Sequence, residues 1–150
     1  MSVLSEAVVS FLRAQGWPVD DDGAGMVRTL VRTDDQVFPC AVVVVDSVGQ
    51  LVVYSVHPDT VPVDRRAAVA ELATRTNANL TVGTLEIDLD AGQVRFRTGL
   101  AVGGSPVTDE MIERVVFDNA ASAVAYFPVV DSVVAGETSP SDAVAALRHR

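Results

Sequence analysis

Two runs, Leu80 to Leu89 and Val94 to Val102, flank the turn residues Asp90-Ala-Gly-Gln93 and alternate apolar with charged or polar side chains. A strand presents successive side chains to opposite faces, so this pattern restricts the segment to a hairpin with one buried face. A two- or four-residue loop sets Asp88 opposite Arg95 and Glu86 opposite Arg97, with Ile87 on Phe96 and Leu89 on Val94 behind them. Slipping by one residue would press charges into the core, so the register is expected to be well specified. Glu86, Asp88 and Asp90 form a row of carboxylates, but the cross-strand arginines neutralise two of them and no metal is expected there.

The remaining elements follow from similar arguments. Leu4, Ala7, Val8, Phe11 and Leu12 recur at helical spacing between Ser2, a suitable N-cap, and the stop Gly16-Trp17-Pro18. Met26 to Thr33 alternates as a half-exposed strand, and Phe38 to Asp46 and Leu51 to His57 form a Val-rich hairpin. A second helix is predicted from about Asp64 to Thr76, with Arg65 and Arg66 in its solvated first turn. Thr108 caps a third, whose stripe Ile112, Val116, Ala120, Ala123, Val124 and Phe127 leads to Pro128, where the helix should kink or end. Ser139-Pro140 opens a short last helix. The expected order is α-β-β-β-α-β-β-α-α, a single α+β domain over residues 1–150. Short connections between strands imply an antiparallel five-stranded sheet with helices packed on it.

Composition narrows the function. At 49% hydrophobic residues the chain can bury a core, and a net charge of −9 disfavours nucleic acid and anionic membranes as partners. All 11 basic residues are Arg, which base-composition bias in the coding sequence explains without a special anion site. The start, Met1-Ser-Val-Leu-Ser-Glu, lacks the basic region of a signal peptide. The longest weakly charged run, Ala120 to Ala135, is too short and too interrupted to span a bilayer, so a cytoplasmic protein is the expectation.

Few residues could support catalysis. Cys40 is the sole cysteine, and His149 stands next to the C-terminus. If the Val-rich hairpin closes around Val48-Gly49, Cys40 falls opposite His57, the makings of a thiol–imidazole pair. Yet Cys40 follows Pro39 within a strand, and no oxyanion hole is evident. Asp20-Asp21-Asp22-Gly23 fails the calcium-loop pattern, and Gly99, Gly103 and Gly104 fit no phosphate or dinucleotide motif. No catalytic set, cofactor or metal is expected.

Several phrases, taken in order, belong together: Gly16-Trp17-Pro18 after a helix, Tyr54-Ser55 leading to His57-Pro58, and Asn77-Ala-Asn-Leu80. Val82-Gly-Thr-Leu-Glu-Ile-Asp88 with Gly92-Gln-Val-Arg-Phe-Arg97, then Tyr126-Phe-Pro128 and Gly136, complete the series. The order resembles the YbjN-like family of bacterial sensory transduction regulators from about Val3 to Leu147. Thr84 and Leu85 depart from the Gly-Asn-Phe-like phrase of that family. The resemblance implies a sandwich similar to type III secretion chaperones, often dimeric, that binds or regulates proteins. It supplies no catalytic residues.

The leading expectation is therefore a non-enzymatic, chaperone-like module or regulatory adaptor, working as a homodimer. Val116, Ala120, Val124, Phe127, Val130 and Val133 lie on a helix apolar nearly all round, which is either core or an interface. The alternative is a signal-sensing regulator with a pocket between helix and sheet, lined by Trp17, Tyr54, Asn77 and Asn79.

Overall fold

The computed structural model of the chain describes residues 2–148, so His149 lies outside the described residues. Strands β1 (Asp20–Asp21), β2 (Met26–Arg32), β3 (Val37–Val45), β4 (Gln50–Val56), β5 (Thr84–Ile87) and β6 (Val94–Ala101) form one antiparallel sheet. Its order is β1-β2-β3-β4-β6-β5, six strands where five were expected. The extra strand is two residues long, too short to show an alternating pattern. It arises because the Asp22 carboxylate accepts from the N–H groups of Ala24 (2.7 Å) and Met26 (3.0 Å), folding the acidic turn back on β2.

The β5–β6 hairpin keeps its predicted facing but not its predicted partners. Glu86 pairs with Arg95, Leu85 with Phe96 and Ile87 with Val94, two residues away from the expected register. Asp88 causes the shift by leaving the strand. Its carboxylate accepts from Asp90 N (2.9 Å) and Ala91 N (3.0 Å), and its carbonyl accepts from Gly92 N (2.7 Å). Leu89, expected against Val94, is 57% exposed in the turn. An even shift leaves every side chain on its original face, so charge patterning alone could not detect it.

Helix α1 (Val3–Ala14) is capped by Ser2, whose hydroxyl accepts from Ser5 N. Helix α2 (Arg66–Asn77) follows a single 3-10 turn at Val63–Arg65, which takes up the start predicted for the helix. Helix α3 (Asp109–Val134) begins at the Thr108 cap and continues for 26 residues without ending at Pro128. The expected break does not occur, because the carbonyl that proline leaves without a donor, that of Val124, accepts from the Gln36 side chain at 3.0 Å. Helix α4 (Pro140–Arg148) starts where Ser139 Oγ accepts from Asp142 N.

The inward residues of the strands, among them Val27, Phe38, Val42, Leu51, Val53 and Phe96, join all four helices in one core. Helix α3 lies over β4 and β6, with α1 on one flank and α2 and α4 on the other. Phe117 meets both Phe11 and Trp17 at ring-centroid distances of 5.8 and 5.7 Å. Neighbours on three sides account for the apolar character of α3. Its solvent line carries Arg114, Asp118, Ala121, Ala125, Pro128 and Asp131. No helix among the described residues is long and apolar enough to cross a membrane.

Candidate functional site

Because every helix packs on the same side, no helix among the described residues covers the other face of the sheet. Leu30, Pro39, Ala41, Val43, Tyr54 and Val56 point to that side and remain exposed or half-buried. A groove of about 470 Å³ crosses part of it, lined by Pro18 and Val19 as well as Leu30, Pro39, Ala41 and Val56. Arg28 and Arg32 of β2 and Arg95 and Arg97 of β6 stand on the same face. Glu86 binds both β6 arginines, at 2.8 Å to Arg95 Nε and 2.7 Å to Arg97 Nε. The Arg95 guanidinium lies 4.5 Å above the Tyr54 ring.

The two edges of this sheet differ. At β5 the outward N–H and C=O of Leu85 are both taken by the Asn77 side chain, at 2.9 Å each. At the opposite edge β1 covers β2 only at Val27 and Arg28. From Thr29 to Arg32 no described strand lies outside β2, beside the apolar groove. An edge strand with free backbone groups next to an apolar groove can accept an extended segment.

The expected binding stripe on α3 sits elsewhere. Val116, Ala120, Phe127, Val130 and Val133 are buried in the core of the single chain, and Val124 is half-buried against it. The five buried side chains are covered within the single chain. Nor do the four expected pocket residues meet. Trp17 packs on Phe117, Tyr54 lies on the open sheet face, and Asn77 bridges to β5. Asn79 donates to the Arg75 carbonyl at the end of α2. Only Asn77 of the four lines the cavity of about 550 Å³ between α2 and β5, and its amide is already occupied.

The Cys40–His57 pair also fails. Cys40 lies opposite Ser55, because a 3-10 turn at Asp46–Val48 and Gly49 moves the hairpin closure back by one position. Burial pushes the Cys40 thiol up to about 11, against a weaker opposing pull from Ser55. A nucleophilic cysteine needs the opposite shift. His57 points instead to α3, with Nε2 2.7 Å from Asp131 Oδ1 and its ring edge-on to Phe127.

One buried polar residue escaped the sequence reading. Asn119 of α3 is fully buried and donates to the carbonyls of Val53 and Phe96 at 2.9 Å each, while accepting from Ser55 Oγ at 2.6 Å. It ties α3 to β4 and β6 at one point. Its signal was available: position 119 falls three and four residues from Val116, Val115 and Ala123, on the helix's inward line.

Solved structures share this architecture. A chain of the ExsC–ExsE complex superposes with a TM-score of 0.62 at 16% identity, covering 87% of this chain and 97% of that one. A chain of the HopA1–SchA chaperone–effector complex gives 0.52 at 14% identity, covering 82% and 91%. YbjN from E. coli, described as a putative transcription regulator, gives 0.50 at 17% identity, covering 99% and 96%. At such identities the likeness concerns the fold. No curated protein matches the chain in sequence. The family described as "Putative bacterial sensory transduction regulator" matches residues 5–132, and on that match the chain belongs to the YbjN family.

Proposed function

We propose that this chain is a non-enzymatic protein-binding module of the bacterial cytoplasm, chaperone-like or a regulatory adaptor, that works as a homodimer. The observation that carries this reading is the asymmetry of the sheet. One face shares a core with four helices, and the other leaves an apolar surface beside an unpaired stretch of β2. Contiguous uncovered apolar surface of this kind marks interaction sites in soluble proteins. The fold likeness to chains from ExsC–ExsE and HopA1–SchA, the latter a chaperone–effector complex, supports the same reading. So does the inert, buried state of Cys40, the only cysteine.

The test separates folding from association. Val43→Arg places a charge at the centre of the open face without entering the core, so the circular dichroism spectrum should stay unchanged. Wild type should scatter light as a dimer at micromolar concentration, and proteins retained by immobilised wild type should be lost from the variant. A monomeric wild type would overturn the dimer. Identical retention by both proteins would overturn the assignment of binding to this face. Arginine at Val130 or Val133 would report on folding instead, since both side chains are buried in the core.

A further inference from the structure

We infer that His57, Asp59 and Asp131 form a binding site for one divalent transition-metal ion of the zinc class. One ligand atom from each of the three lies within 4.8 Å of the others. They come from separate parts of the chain, the end of β4 and the outer line of α3, so the site exists only in the folded protein. Nothing in it depends on the open sheet face.

The histidine is held as a metal ligand requires. Its side chain is 5% exposed and fixed edge-on to Phe127, with Nε2 directed at the Asp131 carboxylate. Nδ1 lies 3.2 Å from the Asp59 carbonyl and 3.0 Å from the Asp59 N–H, so it finds a partner in either tautomer. When Nδ1 carries the proton and donates to that carbonyl, Nε2 turns a lone pair toward a carboxylate oxygen 2.7 Å away. In the other tautomer Nδ1 accepts from the Asp59 N–H and Nε2–H donates to Asp131, and a metal ion would take the place of that Nε2 proton. A backbone carbonyl behind the second ring nitrogen is also the usual way a ligating imidazole is oriented.

Charge and space favour the same conclusion. Glu71, Glu86 and Glu110 each bind an arginine, but among the described residues no arginine pairs with Asp59 or Asp131. Zinc-class ions take imidazole nitrogen and carboxylate oxygen at roughly 2.0–2.2 Å, so two ligands on one tetrahedral ion stand roughly 3.4 Å apart. Reaching that spacing from 4.8 Å, and opening the 2.7 Å His57–Asp131 contact, requires movements of roughly 1–1.5 Å by carboxylates that belong to two exposed residues. A neighbouring cavity of about 150 Å³, lined by His57, Asp59 and Asp131, leaves room for water in the remaining position. Magnesium and calcium fit poorly, since both prefer six or more oxygen ligands and no nitrogen. The other acidic cluster does not compete, because Asp21 and Asp22 already accept from the backbone of their own turn.

Titration calorimetry of the purified full chain with ZnCl2, with MgCl2 as control, tests the site. Zinc should bind at one ion per chain and raise the melting temperature, while magnesium does neither. Asp59→Asn alters an exposed loop residue, should melt normally without metal, and should weaken zinc binding by at least roughly tenfold. His57→Gln should abolish binding, along with the visible absorption of bound Co2+. Absence of zinc binding to wild type would overturn the inference. So would binding that Asp59→Asn leaves intact, a result independent of whether His57→Gln folds.

Discussion

The side-chain amide of Gln36 donates to the carbonyl of Val124 at 3.0 Å, and Val124 stands four residues before Pro128. That carbonyl is the one a proline leaves without its helical N–H, so a loop residue between β2 and β3 completes the hydrogen bonding of α3. The predicted effect is a coupling. Gln36→Ala should cost about 1 kcal/mol in urea unfolding, the usual net worth of a hydrogen bond. In a Pro128→Ala background the backbone supplies the donor, so the same change should cost markedly less. Equal losses in the two backgrounds would show that the contact does not serve the proline.

This contact explains part of what could and could not be read from sequence. The alternation of Val27, Thr29 and Val31 with Arg28 and Arg32 places β2 correctly and shows which face is buried. The proline also reads as a fault in the helical ladder, but the Val124 carbonyl that it leaves open is met by Gln36, 88 residues from Val124. His57 and Asp131 are 74 apart, so no spacing rule could join them. The apolar run of α3 is a true signal of burial, yet periodicity cannot say whether the cover comes from another copy or from α1, α2 and α4. Nor could strand patterning show which sheet face the helices leave bare. That follows only from all of them packing on one side.

Asn119 should be the most sensitive polar position. Replacing it by Ala removes a donor from two buried carbonyls, removes the acceptor of Ser55 Oγ, and opens a small void beneath α3. Unsatisfied buried groups and a cavity together should cost about 2–4 kcal/mol. Guanidinium unfolding of Asn119→Ala beside Ser55→Ala separates the contributions. The serine change alone removes only a donor and should cost less, and the two should not add, because they share one bond.

At the β5 edge, Asn77 acts as a side-chain substitute for a neighbouring strand. Asn77→Ala exposes the Leu85 N–H and C=O at the margin of the sheet, where a strand from another molecule can pair. The expected outcome is a modest loss of stability, about 1–2 kcal/mol. A clear rise in light scattering on mild heating should accompany it. Val82→Ala, which trims an exposed residue nearby, should leave both measurements unchanged. Aggregation rates equal to wild type in Asn77→Ala would argue that the edge is protected by α2 itself.

Cys40 gives the pH dependence with a definite sign. Its thiol is 1% exposed, and burial raises its pKa from 9.0 to about 11 in the folded chain. The unfolded chain therefore loses this proton first. Between about pH 9 and pH 11 the folded state holds one more proton than the unfolded state, so stability falls as pH rises through that window. Two units correspond to about 3 kcal/mol at most. Subtracting the profile of Cys40→Ala isolates the thiol, and the difference should be flat below pH 8 and decline above 9. The native thiol should likewise resist iodoacetamide at pH 8 and react only as fast as the chain unfolds. Rapid alkylation of folded protein, or a flat difference profile, would mean that Cys40 is reached by water and that the core beneath β3 is looser than its packing indicates.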